Sequence, residues 1–236
     1  MSGAGTNMRQ PAKVVPVITL DGPGGSGKGT VSRVVAQRLE WQFLDSGALY
    51  RLVGVAAQDR GVAMDDVAAL TGLAERLDTD FRTLANGREQ ILLSGADVTT
   101  VVRSEASGDV ASRIAVIPAV RRALLQRQRD FRQQPGLVAD GRDMGTVVFP
   151  DAALKIYLTA SAEERAQRRY KQLKEKGISV NLSRLLGEIV ARDERDSHRE
   201  TAPMKPAPDA KVIDTTGFSI EEVVTRVLSL WESKFF

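Results

Sequence analysis

The sequence predicts an α/β domain built on a doubly wound, parallel five-stranded sheet, with a small α+β insertion and a helical lid. Three observations carry that prediction. Short apolar runs alternate with amphipathic helical segments, the pattern of a parallel sheet covered by helices on both faces. The first run, Val14–Leu20, passes straight into Gly22-Pro23-Gly24-Gly25-Ser26-Gly27-Lys28-Gly29-Thr30 and then into a helical stretch. Strand, glycine loop, lysine and helix make a phosphate-binding P-loop, in which backbone N–H groups and a helix N-terminus converge on an anion. The third observation is a change of composition after Gly61, where an Asn-Gly pair sits between two short β runs, a hairpin signal foreign to a parallel core.

Taken in order, residues 1–13 are small, polar and aperiodic and predict a loose terminus; a single domain over 14–236 follows. Val14–Leu20 reads as the first strand. Val31, Val34, Val35 and Leu39 form the inward stripe of the helix after the loop. Gln42–Leu44 is a short strand ending at Asp45-Ser46-Gly47, and a helix runs from Ala48 to about Arg60. The insertion, 61–108, is read as a helix over Val67–Leu77, a hairpin of Phe81–Leu84 and Arg88–Leu93 turning at Ala85-Asn86-Gly87, and a third strand at Val98–Val102. Helical spacing resumes at Glu105–Val116 and Ala119–Gln133, broken by Pro118, which suits the start of the second helix. Leu137–Asp140 is an apolar strand ending in an acid, and Leu154–Leu158 is the next. Ser161-Ala162-Glu163-Glu164 is a capping box opening a helix that Gly177 ends. Leu182–Asp196 is a charged helix; with the preceding one it supplies the lid, 165–200. Val212–Asp214 is the last strand, and Ser219-Ile220-Glu221-Glu222 caps the final helix, to about Trp231.

The bulk numbers narrow the chemistry. The 236 residues carry a net charge of +3, with 42% hydrophobic and 27% charged residues, ordinary for a soluble globular chain. There is no cysteine and His198 is the one histidine, which excludes disulfides, thiolate or histidine metal clusters and a Ser-His-Asp triad. No stretch approaches a membrane span, and a cytoplasmic monomer is expected. Of the 33 cations 24 are arginine. Arginine binds phosphate and carboxylate in bidentate fashion, so a pocket for two phosphorylated ligands explains the excess better than nucleic acid. No basic block with interleaved aromatics occurs, and aromatics are 5%.

Ligands in doubly wound sheets lie at the carboxyl ends of the strands. The P-loop, Asp45-Ser46-Gly47 and Asp140-Gly141-Arg142-Asp143 each follow a strand, so the three are expected to line one crevice. A phosphate opposite the P-loop calls for an arginine with a hydroxyl nearby, and Tyr50 and Arg51 follow Asp45-Ser46-Gly47. Asp140 and Asp143 can accept from a base amino group or a sugar hydroxyl, and Arg142 can bind an anion. Arg192, Arg195 and Arg199 share one helical face if that helix persists; Arg165, Arg168 and Arg169 stud the helix before it. Two arginine-rich helices make a flap that can close over phosphates and exclude water. On local pattern alone, Ser112, Arg121 and Arg122 read as surface residues, His198 as an exposed lid-edge residue, and Trp41 and Trp231 as packing residues.

The Gly29-Thr30 ending of the loop is common in small nucleotide kinases that resemble adenylate kinase. Together, LDGPGGSGKGT, LDSGALYR, VADGRDMGTVVFPDA and ARDERDSHRETAP resemble the bacterial cytidylate kinase family, from about Val14 to the last helix. The resemblance implies transfer of the γ-phosphate of ATP to CMP or dCMP. It implies that Gly22, Pro23, Gly24, Gly25, Ser26, Gly27, Lys28, Gly29 and Thr30 hold the ATP phosphates, with Arg165 and Arg169 as flanking lid arginines. It implies that Ser46, Tyr50, Arg51, Arg142 and Arg199 surround the acceptor phosphate, and that Ser112, Arg121 and Asp143 read the cytosine edge. Arg192 and Asp196 are implied to face the sugar, with Asp45 and Asp140 at the acceptor side. The catalytic charges are then Lys28, Arg142, Arg192 and Arg199. Mg²⁺ is expected to arrive with ATP and keep several waters; Thr30 is the best protein hydroxyl for it, and no firm metal ligand is evident.

The nearest rival is a kinase with UMP or AMP as acceptor. A GTPase switch needs an Asn-Lys-x-Asp motif, and no asparagine here precedes lysine. A nucleic-acid-binding module would use the basic charge alone.

Overall fold

A computed structural model describes residues 14–84, 88–175 and 177–235. The chain runs β1 (Val17–Asp21), α1 (Lys28–Leu39), β2 (Gln42–Asp45), α2 (Ser46–Asp59), α3 (Val67–Glu75), β3 (Thr79–Thr83), β4 (Glu89–Leu93) and β5 (Ala96–Asp97). It continues through α4 (Thr99–Val102), α5 (Glu105–Ile114), α6 (Pro118–Arg129), β6 (Leu137–Gly141), a π-helical turn (Met144–Val148), β7 (Leu154–Thr159), α7 (Ala162–Glu175), α8 (Leu182–Ser197), β8 (Lys211–Asp214) and α9 (Ile220–Phe235). The core sheet has the order β2-β6-β1-β7-β8 with every pair parallel, and β3-β4-β5 form a separate antiparallel sheet.

Period-two alternation divides the core in two. Val17, Leu44, Leu137 and Ala139 point to the face covered by α2, α3, α5 and α6. Ile18, Leu20, Val138, Ile156 and Leu158 point to the face covered by α1 and α9. Every residue of β1 and of β6 is buried, which is why both read as continuous apolar runs. Trp41 and Trp231 close the second face edge to face, with ring centroids 4.9 Å apart.

The capping signals act as read. Ser161 Oγ accepts from Glu164 N at 3.1 Å, and Glu222 returns to the Ser219 N–H at 2.8 Å. Gly177, at φ 73°, ends α7 with its N–H on the Lys174 carbonyl. Pro118 opens α6. The expected third strand of the insertion is corrected. Val98–Val102 is not a strand: β5 is Ala96–Asp97, and Thr99–Val102 is a helical turn. Asp97 Oδ1 accepts from both the N–H and the hydroxyl of Thr99, and Thr99 Oγ1 accepts from Ile91 N at 2.8 Å. These local bonds stop the ladder and turn the chain although the residues are β-branched. The two strands before it pair antiparallel as expected; their Ala85-Asn86-Gly87 turn, like the 1–13 terminus, lies outside the described residues.

Candidate active site

Register brings the functional loops together. Leu20 aligns with Asp140, Asp21 with Gly141, and Asp45 with Asp140. The carboxyl ends of β1, β2 and β6 therefore form one rim, and the P-loop, the head of α2 and the loop after β6 leave it side by side.

The P-loop half is set by glycine geometry. Gly27 precedes α1 at φ 87°, with no side chain capping the helix, so its leading N–H groups remain open to an anion. A Cβ on Gly22 would lie 2.0 Å from the Leu158 carbonyl oxygen, so only glycine lets the chain turn there. Lys28 is buried and donates to the Pro23 carbonyl at 3.0 Å; it folds back over its own loop. Burial, with Arg142 and Arg192 nearby, pushes its pKa down to about 7 against the pull of Asp140. Thr30 is exposed at the first turn of α1.

Opposite it stands a cluster of arginines held by one acid. A Cβ on Gly24 would lie 3.6 Å from an Arg142 guanidinium nitrogen and 4.0 Å from one of Arg192. Arg142 Nε donates to Asp196 Oδ2 at 3.0 Å, Arg192 Nε lies 3.9 Å from the same oxygen, and Ser112 Oγ donates to Asp196 Oδ1 at 3.3 Å. Burial opposes charge on Asp196, yet Arg142 and Arg192 together hold its pKa below the ordinary carboxylate value. Burial and Arg142 lower Arg192 to about 10. Lys28 and Arg192, both lowered by burial and by the neighbouring Arg142, would be relieved by an anionic ligand. Among the described residues Arg192 Nε, Arg199 Nη2, Ser26 Oγ and Asp140 Oδ1 are buried without a hydrogen-bond partner, and buried polar groups are normally paired.

The remaining predicted residues fall around this cluster. Arg121 and Asp143 form a buried ion pair, and the Arg121 guanidinium lies 5.8 Å from the centre of the Tyr50 ring. Burial raises Tyr50 to about 12, so it enters as a neutral hydroxyl. Ser46 Oγ would sit 2.7 Å from a Cβ on Gly141. Arg51 donates to the Val102 and Ser104 carbonyls, each at 2.8 Å, beside Gly108 at the head of α5. Burial raises Asp140 to about 6, and Asp140 Oδ2 lies 3.1 Å from a Cβ placed on Gly29. On α7, Arg165 donates to the Gly24 carbonyl at 3.0 Å and pairs with Asp193. Arg169 pairs with Glu105 of α5.

Some readings need correction. Arg121 and Ser112 are buried rather than exposed; Arg122 alone of the three lies at the surface. Arg199 does not share a helical face with Arg192 and Arg195, because α8 ends at Ser197. It lies buried beyond the helix, with Nε on the Asp196 carbonyl at 3.2 Å, while Arg195 pairs with Asp109 at 2.8 Å. Arg168 faces Thr215 and Glu164, away from the cluster. Asp45 is engaged already: it caps α2 through Ala48 N at 3.1 Å and pairs with Arg103. Arg103, which also binds Glu89 at 2.6 Å, lies in no motif, and Asp21, although it stands within LDGPGGSGKGT, is given no role by the pattern of that loop. Asp21 did leave a signal, an acid closing an apolar strand just as Asp140 does.

A cytidylate kinase family model matches residues 18–233. The chain belongs to the cytidylate kinase family. It is 61% identical over 218 residues to the cytidylate kinase of Stutzerimonas stutzeri, covering 92% of this chain and 95% of that one. It is 60% identical over 214 residues to that of Azotobacter vinelandii, covering 90% and 93%. The shikimate kinase of Bacteroides thetaiotaomicron is far more distant, with a TM-score of 0.44 and 15% identity over 92% of this chain and 98% of that one. In this member of the family a P-loop and an arginine cluster face one another, meeting where Arg142 and Arg192 approach Gly24. Among the described residues no helix is long and apolar enough to cross a membrane.

Proposed function

We propose that this protein transfers the γ-phosphate of ATP to CMP and dCMP in the cytoplasm, giving the diphosphates. The observation that carries the reading is the approach of Arg142 and Arg192 to Gly24 of the P-loop, with the Arg121–Asp143 pair on the adjoining loop. Phosphoryl transfer between two anions needs alignment and charge neutralisation more than proton transfer. An acceptor phosphate is already an ionised nucleophile, which suits a site with no histidine. In this reading Lys28 and the open N-terminus of α1 hold the donor phosphates, while Arg51, Arg142 and Arg199 hold the acceptor phosphate. Asp143 and Arg121, paired to each other, present a fixed donor–acceptor edge to the base, and Ser112, held by Asp196, joins them in reading it. Arg192 spans both halves and meets the charge that spreads over the transferring group. Arg165 and Arg169, on the helix that leans over Gly24 and α5, complete the donor side.

Magnesium fits this donor set. Among the described residues no group of three or more acidic or histidine side chains is arranged to hold a metal, so an ion brought in by nucleotide and largely hydrated suits the site. Asp140, whose Oδ1 is buried without a partner among the described residues and whose Oδ2 lies against Gly29, and the Thr30 hydroxyl would hold it, directly or through water. Its chemistry is to neutralise and orient the donor phosphates.

A coupled assay of ADP release tests the reading. CMP and dCMP should support turnover well above UMP and AMP; preference for AMP would replace the proposal with the rival acceptor. A second expectation concerns pH. The free Lys28 amine has a pKa of about 7, and bound phosphate favours the charged amine, so its pKa rises in the complex. Between the two values, binding takes up a proton. ATP affinity should therefore be flat below pH 7 and fall with rising pH above it, by at most about tenfold per pH unit. Calorimetry in buffers of different ionisation enthalpy should register the proton uptake at pH 8, and affinity unchanged from pH 7 to 9 would contradict it.

A further inference from the structure

Asp21 is a buried carboxylate at the end of β1, one residue before Gly22 turns the chain into the P-loop. Its two oxygens each take a backbone N–H from the loop after β6: Oδ1 from Met144 at 2.8 Å and Oδ2 from Gly145 at 2.8 Å. These are the leading N–H groups of the π-helical turn Met144–Val148, which has no side-chain cap of its own. The carboxylate of one strand thus caps the turn that follows another. Gly145 is what allows the approach, since a Cβ there would lie 2.9 Å from Thr19 Oγ1 and 3.3 Å from Asp21 Oδ2. The tethered turn begins directly after Arg142, which holds Asp196, and Asp143, which holds Arg121. One side chain therefore sets the distance between the loop that carries the donor charge and the loop that carries the acceptor contacts.

We propose that Asp21 is a positioning residue of phosphoryl transfer, acting through the Met144 and Gly145 amides to hold Arg142 and Asp143 in line with the P-loop. The proposal rests on the kinase reading above. Two charge-assisted bonds to one carboxylate are stiffer than neutral ones, and misplacement of a reacting group by about 1 Å can cost about 10²-fold in rate. Burial raises the Asp21 pKa to about 7 against those two bonds, so keeping a carboxylate here works against stability. A residue needed only for folding has no such requirement. Asparagine has the same shape, but it offers one oxygen and turns an NH₂ toward the second N–H.

The test is Asp21→Asn, assayed with whichever acceptor the wild type uses best. We expect kcat to fall about 10- to 100-fold and the KM for the acceptor to rise several-fold. The KM for ATP should stay within about twofold, and the melting temperature should be equal or higher. Wild-type acceptor constants in a folded variant would overturn the proposal. So would equal losses for both nucleotides that track a fall in melting temperature. Hydrogen exchange on the wild-type protein tests it even if the variant does not fold: the Met144 and Gly145 amides should be protected like those of the central sheet, and rapid exchange there would overturn it. Wild-type protein that phosphorylates no nucleoside monophosphate removes the kinase reading instead, an outcome that the Asp21 comparison does not mimic.

Discussion

Lys28→Met should lower turnover by about 10²–10³-fold, the loss typical of removing one preorganised charge from a developing anion, with little change in stability. Methionine suits this test better than alanine because Lys28 is buried, and a truncated side chain would leave a cavity beside the P-loop. The direction on stability follows from linkage. The folded pKa of about 7 lies below the ordinary lysine value of 10.5, so between those values the unfolded chain binds the extra proton and stability rises with pH. The penalty of burying the charged amine is complete below pH 7 and gone above about pH 10.5. The neutral variant should thus melt no lower than wild type at pH 7, and any advantage should shrink as pH approaches 10. Steady-state kinetics with thermal melts at two pH values check both halves. Normal turnover in the variant would remove the P-loop from the mechanism.

The parts of the fold legible in the sequence are those set by local periodicity and by steric demand. The buried strands β1 and β6 announced themselves as unbroken apolar runs, and the capping boxes at Ser161 and Ser219 marked helix starts that the hydrogen bonds reproduce. The convergence of three strand-end loops followed from the parallel topology alone, because ligands in such sheets gather at the carboxyl ends. What periodicity could not supply is decided by long-range pairing. Val98–Val102 is β-branched throughout, yet Asp97 and Thr99 close local bonds that outcompete the ladder. Arg199 lies past the end of α8, so helical spacing could not relate it to Arg192. Arg103 gains its place only once Asp45 and Glu89, 58 and 14 residues away, are folded beside it. Arg121 shows the same limit: its neighbours in the sequence mark a surface helix, and only Asp143, 22 residues on, gives its charge a buried partner.

Asp196 is where the acceptor half depends most on one side chain, so Asp196→Ala should be the most damaging single change there. Its carboxylate receives Arg142 and Ser112 directly and balances Arg192, while its backbone carbonyl receives Arg199. Removing it leaves the half-buried Arg142 and Arg192 guanidinium groups near Gly24 without their shared carboxylate, and Arg142 with only Asp140 and Asp193 to balance it. Breaking a buried pair in this way costs about 3–5 kcal/mol, roughly 6–20 °C in melting temperature for a chain of this length. Repulsion should then splay Arg142 from Arg192, so acceptor KM should rise at least about tenfold and kcat should fall with it. The pH dependence separates charge from shape. The folded pKa of Asp196 is held below its ordinary value of 3.8, so its contribution is fully present above that value and is lost as pH falls through the lower one. Wild type and Asp196→Ala should therefore differ most in stability at neutral pH and draw together in strong acid. Added phosphate, by supplying an anion to the freed arginines, should recover part of the lost melting temperature in the variant and little in wild type. Unchanged CMP and dCMP kinetics in a stable Asp196→Ala protein would show that the arginine cluster is organised by something other than this carboxylate.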